Sequence, residues 1–118
     1  MADPHQPQVL LALTSEADHG KAEALARALL QRRLVACVSL QPQQALYHWQ
    51  GRLESAAEVQ LLIKTDTHRR AALEAAVREL HSYDTPEWLV WSAVASQAYG
   101  RWLAGELAPS PDAGRPGP

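Results

Sequence analysis

The sequence predicts an α+β fold, a ferredoxin-like βαββαβ sandwich with an extra C-terminal helix, and three observations predict it. Short apolar runs bounded by turn residues read as strands. Apolar residues recurring at i, i+3, i+4 and i+7 read as helices. Their order along the chain is strand, helix, two strands, helix, strand, with one short helical pattern after them.

The elements follow in turn. Residues 9–13 (Val-Leu-Leu-Ala-Leu) are apolar without alternation, as in a strand covered on both faces. Ser15 and Asp18 form a weak capping-box variant, and Ala22, Leu25, Ala26, Leu29 and Leu30 then keep helical spacing, so the first helix is expected over 16–33. Gly20 falls inside that pattern and costs a helix interior about 1 kcal/mol relative to Ala. A β-rich run over 35–40 is the second strand. Pro42 cannot donate to a ladder and suggests a bulge, after which the strand resumes over 45–52. The small, polar stretch 54–57 is expected to turn the chain into a third strand over 59–64, giving long antiparallel arms. Asp66 or Thr67 can cap a second helix carrying Leu73, Ala76, Val77 and Leu80, which ends near His81. Beyond Pro86 a fourth strand covers 88–91, and Ser96 caps a last helix through Trp102 and Leu103.

At 118 residues the chain holds one domain, placed over 8–107, between a flexible N-terminus over 1–7 and a disordered, Pro/Gly-rich tail over 108–118. A net charge of −2 provides no field for a polyanion, so nucleic acid is an unsuitable partner. The lack of Phe removes the usual stacking strip of an RNA-binding sheet. Cys37 stands alone, which rules out an intrachain disulfide and a four-Cys zinc cage and fits a reducing cytoplasm. Flanked by Ala36 and Val38, it reads as a small buried hydrophobe. No secretory signal pattern opens the chain and no apolar run approaches the roughly 18 residues that cross a bilayer, so a soluble protein away from the membrane is expected.

Function is expected at the helix-to-strand junction His81-Ser82-Tyr83-Asp84-Thr85-Pro86-Glu87, where polar groups are held by rigid neighbours yet reach solvent. His81 offers a lone pair suited to borderline metals and Glu87 a carboxylate across the same turn, which together make half a metal site. The plainer alternative has His81 bonding the last carbonyls of its helix and Glu87 bonding a donor such as Lys64. Tyr47, Trp49 and Tyr83 combine large apolar bodies with polar tips, suited to interfaces and to stacking on planar ligands. Lys64 and Arg52 could hold an anion or pair with nearby glutamates.

Taken in order, Leu34-Val35-Ala36-Cys37-Val38, Tyr47-x-Trp49-x-Gly51, Glu58 to Lys64-Thr65 and His81-x-Tyr83-x-x-Pro86-Glu87 resemble the CutA family of divalent-cation tolerance proteins. The resemblance implies a tightly packed homotrimer that binds divalent metal ions in clefts between subunits. It implies His81 and Glu87 as ligands, and the residues expected to line the cleft are Thr14, Tyr47, Trp49, Lys64 and Tyr83. Where some members carry a thiol at the end of the first strand, this chain places Thr14. A hydroxyl is a poor ligand for soft Cu(I), so the cofactor expected is weakly bound Cu(II) or Zn(II). An oligomer is also expected on physical grounds, because two helices cover one sheet face and a short third helix cannot cover the other; the number three is what the resemblance implies. The competing functions are a PII-like regulatory binder of small molecules and a scaffold without a physiological metal. An enzyme is least supported, because the chain has no Asn for acylphosphatase chemistry and its motifs suggest no nucleophile–base arrangement.

Overall fold

The computed structural model describes residues 7–108. The loose start and the tail expected at the two ends lie, apart from Pro7 and Ala108, outside the described residues. Within them run β1 (Gln8–Glu16), α1 (His19–Gln31), β2 (Cys37–Trp49), β3 (Arg52–Thr65), a 3-10 turn (Thr67–Arg69), α2 (Arg70–Leu80), β4 (Leu89–Val94) and α3 (Gln97–Leu107). The four strands form one antiparallel sheet in the order β2-β3-β1-β4.

Alternation along the strands assigns the sheet's two faces. Ala12 of β1 and Val59, Leu61 and Ile63 of β3 face α1 and α2, where Leu25, Leu29, Leu73 and Val77 complete the main core. Burying a side chain of this size contributes about 1.5–3 kcal/mol each. On the opposite face α3 lays Leu103 and Leu107 over Val9 and the edge of Leu11. This helix sits so close that a Cβ on Gly100 would lie 2.2 Å from the Pro7 ring, so glycine is what admits the contact. Leu89 and Trp91, further along that face, remain exposed.

The caps follow the chemistry of the residues. Asp18 accepts from the Lys21 amide at 2.8 Å and Ser96 from the Tyr99 amide at 3.2 Å. The first helix therefore starts at His19, not at 16: Ser15 and Glu16 are claimed by β1, and Gly20 falls in the first turn, where an interior-helix penalty does not apply. Arg33, with φ 57°, ends α1 in a Schellman arrangement, its own amide on Leu30 and that of Leu34 on Leu29.

The hairpin corrects two expectations. Residues 54–57 are interior to β3, and the turn lies at Gln50 and Gly51, both with positive φ, as a two-residue type I′ connection requires. Pro42 causes no bulge, since it sits opposite Val59 in an unbroken register. It is tolerated because β2 is an edge strand, whose outer side needs no donors. β1 reaches only as far as Val59, so residues 43–49 and 52–58 pair with each other alone. A two-stranded ribbon of this kind is marginal in water by itself. The arm carries Leu46 (68% exposed), Trp49 (61%) and Leu53 (72%).

Candidate functional site

At the base of that arm a groove of about 630 Å³ opens on the face away from α1 and α2. One wall is the arm, through Gln43, Tyr47, Trp49 and Glu58. The other is the α2–β4 connection, through Tyr83, Asp84, Thr85 and Glu87, with Ser15 at the end of β1 between them. The hydrogen bonds run across the strands. Gln43 Nε2 donates to Ser15 Oγ at 3.2 Å, and Ser15 Oγ donates to Glu87 Oε1 at 3.1 Å. The Tyr83 hydroxyl donates to Glu58 Oε2 at 3.0 Å.

The phenol of Tyr83 is pushed up from 10.0 to about 12, by burial first, then by its bond to Glu58 and by the negative charges of Glu58 and Glu16. Among the described residues no Lys, Arg or His forms an ion pair with Glu58, Asp84 or Glu87, and none lines the groove. The field in the groove is therefore that of carboxylates.

His81 and Glu87, the expected ligand pair, do not converge. The Tyr83 amide donates to His81 Nδ1 at 3.0 Å, which leaves the ring proton on Nε2, where it is donated to the Ser15 carbonyl at 2.7 Å. Both ring nitrogens are thus used, and the side chain is fully buried. Beside it lies the buried Glu16 carboxylate, which accepts from the amide and the hydroxyl of Ser82 and lies 3.6 Å from Nδ1. His81 packs on the helix side of β1, whereas Glu87 reaches the open side. Ser15 joins them, its carbonyl held by one residue and its hydroxyl by the other. Of the plain alternative, His81 bonds β1 and not its helix's last carbonyls, whereas Glu87 does accept from a nearby donor, which is Ser15 in place of the example Lys64.

Of the residues expected to line the cleft, Tyr47, Trp49 and Tyr83 do so. Thr14 does not. Sharing a face with Ala12, it is fully buried under the helices, and its Oγ1 has no hydrogen-bond partner among the described residues. Lys64 is also elsewhere, bonded to Ser39 Oγ at 2.7 Å and 3.7 Å from the Cys37 sulfur. Six residues of strand, about 20 Å, separate it from Glu58. Cys37 is half-buried and free. Sequence reasoning passed over Ser15, Gln43 and Glu58 as site residues, and it named Asp84 within the junction without giving it a role. Glu58 carried a usable signal, since it falls out of phase with Val59, Leu61 and Ile63 in the strand's alternation and so faces the other way.

The family model of the CutA1 divalent ion tolerance protein matches residues 10–106. A divalent-cation tolerance protein CutA of Pectobacterium atrosepticum is 40% identical over 109 residues, 91% of this chain and 99% of the relative. One from Yersinia pestis is 39% identical over 112 residues, 91% and 94% of the two chains. Among solved structures, CutA from Synechococcus elongatus superposes with a TM-score of 0.83 at 35% identity, covering 86% of this chain and 91% of its own. CutA from Xylella fastidiosa gives 0.81 at 35%, covering 85% and 98%.

Proposed function

The chain belongs to the CutA1 divalent ion tolerance protein family, and we propose that it works as a non-enzymatic homotrimer that holds a cation in the groove at the seam between subunits. The observation that carries this is the two-stranded arm with Leu46 and Leu53 exposed on the face turned away from Tyr47 and Trp49. An arm of that length and apolarity gains its stability by lying on another copy. The strand order β2-β3-β1-β4 supports the ferredoxin-like description of each subunit.

The donor set bears on the divalent-ion part of this reading. Among the described residues no group of three or more His, Cys, Asp or Glu is arranged to hold an ion, and the His81 imidazole is committed to the backbone. One chain therefore does not fit a closed metal site. Weak binding of Cu(II) or Zn(II) rests on carboxylate oxygens such as those of Glu87, with further donors brought by a neighbouring copy. A PII-like nucleotide site has less support, because a groove walled by carboxylates repels phosphate.

Sedimentation equilibrium tests the assembly. Wild type is expected at three chain masses, and a Leu46→Glu, Leu53→Glu variant is expected to shift towards single chains. Wild type sedimenting as a single folded chain would overturn the reading. Titration of Cu(II) and Zn(II) tests the donors: Glu87→Gln weakens binding, while His81→Ala leaves the affinity of the folded fraction unchanged.

A further inference from the structure

We propose that the groove is a receptor for a small organic ammonium ion, of the quaternary or methylated class, held between aromatic faces and carboxylates. The proposal rests on the reading of this groove, at the seam between subunits, as the ligand site. It names the kind of cation.

Size is the first argument. In the single chain the groove holds about 630 Å³, the room a small organic molecule needs and far more than a bare divalent ion fills. The walls are the second. Tyr47 and Trp49 lie on one side of the arm with 43% and 61% of their surface exposed, and Tyr83 faces them from the α2–β4 connection. Aromatic faces offer nothing to a strongly hydrated metal ion. They attract an organic cation through the ring quadrupole, by about 0.5–2 kcal/mol per good contact. Charge is the third. Glu58, Asp84 and Glu87 lie on the same groove without a cationic partner among the described residues. Glu58 and Glu87 are oriented by Tyr83 and Ser15 through one oxygen each, which leaves the second oxygen of each without such a bond. An alkylammonium matches both wall types, because its methyl groups tolerate the dry rings while its charge satisfies the carboxylates.

Calorimetric titration of the full-length protein with choline, and with its neutral isostere 3,3-dimethyl-1-butanol, is the test. Choline is expected to saturate one site per chain and to bind at least about tenfold tighter than the isostere, the difference being the charge. Trp49→Ala and Glu58→Gln are each expected to weaken choline about fivefold or more. Glu58→Gln keeps the shape and the Tyr83 acceptor, so it reads charge even if the alanine variant assembles poorly. Equal binding of choline and the isostere, or no saturation by choline at millimolar concentration, overturns the proposal. If Zn(II) binds through Glu87 while choline does not bind, the groove remains a cation site and only the organic-cation inference falls.

Discussion

Thr14 and Tyr83 show how single residues carry opposite kinds of polarity here. The Thr14 hydroxyl is fully buried without a partner among the described residues, which costs about 1–3 kcal/mol. Thr14→Val keeps the shape and removes that group, so it is expected to raise stability by about 1 kcal/mol, read as a higher urea midpoint with unchanged slope. Tyr83 depends on pH. Its phenol is raised from 10.0 to about 12, so between those values the folded state keeps a proton that the unfolded state releases. The contribution is complete below pH 10 and lost as pH rises towards 12. Urea midpoints are therefore expected to fall above pH 10, and less steeply in Tyr83→Phe. Tyr99 is also raised, by burial first, but it is common to both proteins, so the difference isolates Tyr83. The pH effect was not legible in the sequence, because Tyr83 and Glu58 are 25 residues apart and meet only through the sheet. Nor was the fate of His81: its residue type suggested a ligand, and only the Ser15 carbonyl on β1 shows the ring proton already committed.

The elements were mostly legible where the periodicity was strong, as in α1, α2 and the central strands, and less so at their edges. The hairpin is the instructive miss. Gly51 marked the turn, yet the polar, small run 54–57 suggested one more strongly, because its place in a marginal arm demands little of its side chains. Gln50 has φ 51° and Gly51 φ 78°, a pair that an L side chain adopts only at a cost. Gly51→Val is expected to destabilise the protein by about 1–3 kcal/mol at fixed protein concentration, measured by urea unfolding, although a Cβ there meets no atom within 4 Å. A null result would mean that the turn can be remade without positive φ.

For the whole molecule, the sheet's two faces have unequal fates. The helix side closes over one continuous core, while α3 covers only the end of the other side near Val9. The remaining apolar surface lies on Leu89 and Trp91 of the sheet and on Leu46, Trp49 and Leu53 of the arm. Such surface argues for association on area grounds. The expected trimer places its stability under mass action, so unfolding midpoints and sedimentation should respond together to dilution. The groove lies beside this surface, so the proposed trimer would tie ligand access to assembly.

By itself the sequence determined the order of elements, the family, the junction that carries the polar cluster and the aromatic strand facing it. These are set by local periodicity, turn chemistry and motif spacing, all of which act within a few residues. Only the tertiary structure decided which side of β1 each polar residue occupies, sending His81 and Thr14 into the interior and leaving Glu58 and Glu87 to the groove. A strand alternates its side chains at every step, so the face a residue reaches depends on register against distant partners, and no local pattern at the α2–β4 connection encodes that.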